Sequence, residues 1–226
     1  MITSADNPKL KEARKLADRR WRDRLGRFVA EGEDLVDAAA AAGWHPVFVL
    51  RAGHDVEPSL LDEVSVLGSG SRVIAAYEQR WAAEATAPCI ALWGVHDPGN
   101  VGTVLRSAAA FGAQSVALGP ECADPYGPKA VRASMGAIFS VPVVRVEGPG
   151  DLPAPRAAMV ARRGSPIEEA GAIASLIVGG ERAGVPEAVV AECEQVVHVP
   201  IETESLNAAM AATVGLYEVH RMRRHA

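Results

Sequence analysis

The sequence predicts an α/β protein in two parts: a small α/β module, then a larger domain on a parallel sheet with helices on both faces. Three observations carry this. After Pro88, short apolar runs alternate with helix-like stretches, the pattern of strand–helix–strand units. Before Ala85 a shorter, more basic version of the alternation is present. Between them "EATAP" reads as a linker, dividing the chain into residues 1–85 and 86–226. A length of 226 residues with 49% hydrophobic and 23% charged side chains suits a soluble globular protein with real cores.

Asn7-Pro8 starts a helix, with Asn as cap and Pro at the first helical position. Leu10, Ala13, Ala17 and Trp21 continue it at helical spacing, and Gly26 stops it. "RFVAEG" reads as a strand, "EDLVDAAAAAG" as a helix closed by Gly43, and "PVFVLRA" and "RVIAAY" as strands. In the second part the expected strands are "CIALWGV", "SVALG", "VPVVRV", "ASLIVGG" and "QVVHVPI". The expected helices are "GNVGTVLRSAAAFG", "GPKAVRASMGAIFS", "VPEAVVAEC" and a last one opening near Ser205. In such sheets ligands sit beyond the carboxyl ends of the strands.

Several function classes lose support. The opening "MITSADNPKLKEARK" has no apolar signal region, and no apolar run approaches a membrane span. Cys89, Cys122 and Cys193 are far apart and odd in number, with neither metal spacing nor a disulfide pattern. The expectation is a cytoplasmic protein with no resident metal. The net charge is −5, yet nine basic residues precede residue 28, against Asp6, Glu12, Asp18 and Asp23. Such a segment is either a solvated helix face or a phosphate-attracting patch.

Three loops leave strand ends: "VHDPGNVGTVLR", "VGGERAGVP" and "PIETESLN". In the first, Asn100 reads as a helix cap and Arg106 lies about two turns further; the pair suits either a plain turn or a grip on an anion. In the second, Gly179 and Gly180 allow a close approach of backbone to ligand, with Glu181 next. Neither G-x-G-x-x-G nor a Walker-type phosphate loop is present, which removes support for NAD and ATP enzymes. In the third, Ser205 reads as the N-cap, which leaves Asn207 without a structural reason. Ser205 is not in G-x-S-x-G and no histidine is placed to serve it; His198 and His96 read as structural.

"NVGTVLRSAAAFGA", "LIVGGERAGVP" and "VPIETESLNAAMAATVGLYE", in this order, resemble the SpoU or TrmH family of RNA ribose methyltransferases, of the SPOUT superfamily. The stretch up to "FVAEG" and the helix after it resembles the substrate-binding domain that precedes many of these enzymes. The resemblance implies a deep trefoil knot, which general physics alone would reject. It implies S-adenosylmethionine as cofactor, held by Gly179, Gly180, Val199, Ile201 and Leu206. It implies Asn100, Arg106, Glu181, Ser205 and Asn207 as the catalytic polar set. It further implies a homodimer with sites completed near the subunit interface, for which the small residues of the last helix would suit. The partner is RNA, with ribosomal RNA favoured over transfer RNA.

Arginine keeps its proton to about pH 12, so Arg106 is expected to clamp a phosphate and stabilise negative charge, with Glu181 and Ser205 ordering either Arg106 or the ribose hydroxyl. The loop "IETE" before Ser205 is shorter than the glycine-bearing stretch common in the family. The rival readings are a non-catalytic RNA-binding protein on this fold and a tRNA or base methyltransferase.

Overall fold

The computed structural model describes residues 1–66 and 70–225. The first part opens with α1 (Pro8–Leu16) and α2 (Arg19–Leu25). Asn7 caps α1 by accepting from the Lys9 amide at 2.9 Å. One helix was expected to run to Gly26; there are two. Asp18 accepts from the Arg20 amide at 2.8 Å and so starts a second helix. Gly26 ends that helix at φ 62°, the left-handed conformation glycine permits.

There follow β1 (Arg27–Glu31), α3 (Glu33–Ala41), β2 (Phe48–Arg51), α4 (Pro58–Asp62) and β3 (Val73–Glu78). The three strands pair antiparallel in the order β1-β3-β2. Their near-continuous burial reflects two covered faces: one side packs on Leu10, Leu16, Leu60 and Leu61, the other on an aromatic cluster.

The second part contains β4 (Cys89–Trp93), α5 (Pro98–Ala110), β5 (Ser115–Leu118), α6 (Pro128–Ala133) and β6 (Val143–Arg145). It continues with β7 (Arg156–Met159), β8 (Ser165–Pro166), β9 (Ser175–Gly179), α7 (Glu187–Ala191), β10 (Gln195–His198) and α8 (Ala208–His225). All seven strands pair parallel, in the order β6-β5-β4-β9-β7-β10-β8. The expected parallel sheet is present, with β7 and β8 added from a stretch the sequence left unassigned. β9 inserts between β4 and β7, and β10 between β7 and β8, as a knotted path requires.

Helices cover both faces. Val101, Val104, Leu105 and Ala108 of α5 lie with Ala208, Ala212 and Leu216 of α8 in one core. Val189 and Val190 of α7 join the other. "GPKAVRASMGAIFS" is not one helix: Met135 at φ 48° and Gly136 at φ 90° break it, leaving a 3-10 turn at Ala137–Phe139. Gly102 lets α5 and α6 touch, since a Cβ there would stand 2.3 Å from the Ala130 carbonyl oxygen.

The two sheets share a core. Phe28 lies 4.7 Å from Tyr126 between ring centroids, Tyr77 5.1 Å and Trp44 5.2 Å from Phe139. Trp44 Nε1 donates to the Phe139 carbonyl at 2.8 Å. Arg22, only 4% exposed, pairs with Asp124 at 2.8 Å and donates to the Leu16 and Ala17 carbonyls. Losing one partner of such a buried pair costs about 3–5 kcal/mol. Past β3, the Ala82 amide bonds the Val143 carbonyl at 2.8 Å, which covers the open edge of β6.

Candidate active site

The three loops singled out in the sequence meet at the carboxyl edge of the large sheet. The Gly180 amide donates to the Trp93 carbonyl at 2.8 Å, and the Gly184 amide to the Gly180 carbonyl at 2.8 Å. A Cβ on Gly180 would stand 2.2 Å from the Gly94 carbonyl oxygen. One on Gly179 would stand 2.0 Å from the Gly184 carbonyl carbon. The glycines therefore serve first to bring the chain's own backbones together, a use the sequence reading had given to a ligand.

Below this junction is a cleft of about 630 Å³. Gly179, Gly180, Val199, Ile201 and Leu206 all line it, with Glu181 and Ser205. Val199, Ile201 and Leu206 are half-buried, so apolar side chains are left uncovered in a concave site. That is the lining a heterocycle such as adenine requires, with backbone polar groups beside it. The lining residues fit an S-adenosyl cofactor in their chemistry. Met159, Ala161, Val178, Gly184, Ala208 and Ala211 complete the walls, and the sequence reading assigned none of them to the cofactor. Met159 ends β7 and Ala161 follows it, and the short "RAAM" gives no strong strand signal.

At the mouth, Asn100 donates to Glu181, and Asn207 Nδ2 donates to Asn100 Oδ1 at 3.3 Å. These three residues come from three different loops. Asn100 does not cap α5. Asp97 does, accepting from the Gly99 amide at 2.8 Å and binding Lys129 Nζ at 2.9 Å. The Lys129 bond, then the Gly99 bond, hold the Asp97 carboxyl below its usual range. Ser205 is not the cap of α8 either. Asn207 is, with Oδ1 accepting from the Ala209 and Met210 amides at 2.9 and 3.3 Å. Asn207 thus has the structural role denied to it on sequence, and its amide nitrogen still reaches Asn100. Among the described residues the Ser205 hydroxyl, at the rim of the cleft, makes no hydrogen bond.

Arg106 stands apart. It is exposed on the face of α5 that also carries Asn100 and Thr103, about 9 Å along the axis from Asn100. Among the described residues it makes no hydrogen bond or ion pair, so neither Glu181 nor Ser205 orders it within this chain. The small residues of α8 are also not outward. Ala208, Ala209 and Ala212 are buried in the chain's own core, while Met210 and Tyr217 are exposed.

Comparison with known proteins agrees with this geometry. Residues 87–217 match the model of the SpoU rRNA Methylase family, and residues 7–85 that of the MRM3-like substrate binding domain. A 23S rRNA guanosine 2′-O-methyltransferase of Bacillus subtilis is 31% identical over 96% of this chain and 98% of its own length. A 23S rRNA uridine 2′-O-methyltransferase of Streptomyces viridochromogenes is 39% identical over 56% of this chain and 50% of that protein. The AdoMet-bound rRNA methyltransferase of Sinorhizobium meliloti superposes with a TM-score of 0.88 at 27% identity, covering 98% and 97% of the two chains. The AdoMet complex of the SpoU methyltransferase AviRb from Streptomyces viridochromogenes gives 0.85 at 28% identity, over 96% and 98%. With strand-end loops, apolar cleft and family match in agreement, the chain belongs to the SpoU family of rRNA methylases.

Proposed function

We propose that this protein is an S-adenosylmethionine-dependent RNA methyltransferase that modifies a ribose 2′-hydroxyl, in ribosomal rather than transfer RNA. The observation that carries the reading is the meeting of Asn100, Glu181 and Asn207 over an apolar cleft with Ser205 on its rim. S-adenosylmethionine supplies a methyl group on a cationic sulfur. Val199, Ile201 and Leu206 hold its adenosine end, and the backbone at Gly179 and Gly180 closes the pocket. Asn100 and Glu181, already bonded, orient the ribose hydroxyl. Arg106 grips the adjoining phosphate and stabilises negative charge growing on the ribose oxygen. Alignment of the reacting groups supplies much of the rate.

Arg106 performs this role in a homodimer. α5 and α8 pack side by side, and their outer faces carry Arg106, Met210 and Tyr217. Two copies meeting there cover the exposed apolar groups and complete each site at the interface. The free thiols of Cys89, Cys122 and Cys193 suit a cytoplasmic enzyme.

The test is transfer of labelled methyl from S-adenosylmethionine to 23S rRNA, with ribose-methylation maps of total RNA made with and without the protein. One new 2′-O-methyl position is expected. A methylated base, or calorimetry showing no S-adenosylmethionine binding, would overturn the reading in favour of a rival.

A further inference from the structure

A second recess, of about 590 Å³, opens on the same carboxyl edge, beyond β5 and β6. β5 and β9 are two strands apart, so the recess begins about 10 Å from the cofactor cleft along the sheet. One wall comes from the small module, through Arg19 and Trp81; the other comes from strand ends, including Arg145. The Arg145 guanidinium lies 4.1 Å over the Trp81 ring. Trp81 is itself fixed, edge-on to Tyr126 at 5.2 Å and donating to Gln79 at 3.2 Å. The side chain of Arg145 is 55% exposed, which leaves the outer face of its plane open.

Arg19 faces the same recess. Asp23 gathers both guanidiniums, at 3.6 Å from Arg19 and 3.8 Å from Arg145. These exposed pairs are weak and longer than hydrogen bonds, so a phosphate competes with Asp23 for both arginines. The carboxylates of Glu121 and Glu147 border the recess too and keep phosphate on the arginine side. The buried Arg22–Asp124 pair anchors α2, and with it Arg19, against the recess. Further along α2, Trp21 carries Lys15 at 4.6 Å and Arg24 at 5.2 Å, so the cationic, aromatic surface continues.

From this seam we infer a nucleotide subsite for single-stranded RNA. A base stacks on the Arg145–Trp81 pair and its phosphate sits between Arg19 and Arg145. Stacked guanidinium planes and aromatic rings are what unpaired bases are held by. The inference rests on the proposed function for its choice of RNA, and it adds where the strand next to the target is gripped.

The test is fluorescence anisotropy of a labelled single-stranded oligoribonucleotide of mixed sequence, titrated at several salt concentrations. Arg19→Gln and Arg145→Gln are each expected to lower the slope of log affinity against log salt by roughly 0.7, the value of one lost phosphate contact. Arg145→Lys is expected to keep the slope and yet weaken binding about tenfold, because an ammonium cannot stack. Calorimetric S-adenosylmethionine binding stays unchanged in all three. Titrations identical to the unmodified protein, or an Arg145→Lys variant that binds normally, would overturn the subsite. So would a parallel loss of cofactor binding, which would assign these residues to the fold. Unmodified protein that binds the oligonucleotide as described but transfers no methyl group would overturn the proposed activity and leave the subsite standing.

Discussion

The two edges of the seven-stranded sheet are built to opposite rules. At the amino edge the polar groups are spoken for. Ser115 Oγ donates to the Thr86 carbonyl at 2.8 Å and accepts from its amide at 2.9 Å, and Ser175 Oγ donates to the Pro153 carbonyl at 2.7 Å. Gln195 bonds Gly171 and Ala172, each at 2.9 Å, and Arg156 makes a fork on Glu194. At the carboxyl edge Val199, Ile201 and Leu206 are half-uncovered, and among the described residues the Ser205 hydroxyl has no hydrogen-bond partner. Apolar side chains left uncovered in a concave site with polar groups at its rim are what a ligand covers. On the proposed reading, the chemistry lies at this carboxyl end of the strands.

Substitutions at each end probe that division. The largest effect is expected from Arg106→Ala: at least a hundredfold loss of methyl transfer with thermal stability and calorimetric cofactor affinity nearly unchanged. Near-normal turnover in the labelled-methyl assay would remove Arg106 from the chemistry. Next is Gly180→Ala, where the new Cβ meets backbone at Gly94 and has no flexible side chain to displace. A loss of about 2–3 kcal/mol is expected in urea unfolding, so this part of the open edge is structural as well.

Asn207 separates its two roles. Asn207→Ala is expected to cost about 1 kcal/mol by uncapping α8 and to slow turnover. Asn207→Asp keeps the cap and loses the donor to Asn100, so its melting temperature should match the unmodified protein while turnover still falls. Equal turnover in both proteins would leave Asn207 as a cap alone.

The smallest effect belongs to the closed edge. The Arg156 side chain, then its amide, hold the Glu194 carboxyl down to about 2. With the folded value below the unfolded value near 4.5, the unfolded chain binds more protons between them. The contribution is present above about pH 4.5 and fades as pH falls toward 2. Glu194→Gln should therefore flatten the stability profile between those values, as read by urea melts at successive pH. An unchanged profile would show that the pair adds nothing to acid resistance.

Much of this was legible in the sequence because it is local. β4, β5, β9 and β10 are apolar runs bounded by turn residues, and α1 opens on Asn7-Pro8. The five residues assigned to the cofactor all reached one cleft for the same reason: each lies at or just beyond the end of β9 or β10. β7 and β8 were missed because "RAAM" and "SP" have little strand propensity, and distant partners alone hold them. The two caps were misassigned because several polar residues compete within each short loop, and only the fold chooses between Ser205 and Asn207. The seam was invisible for a deeper reason. Arg22 and Asp124 are 102 positions apart, and nothing local to either announces the other.

The shared aromatic core under the two sheets has one more consequence. A module tethered only by its linker would let an RNA-gripping surface wander relative to the reaction centre. Phe28, Tyr77, Tyr126 and Phe139 fuse the two instead, so the span from grip to cleft is a fixed length. An RNA strand held at the proposed subsite would therefore meet the cleft at one set distance.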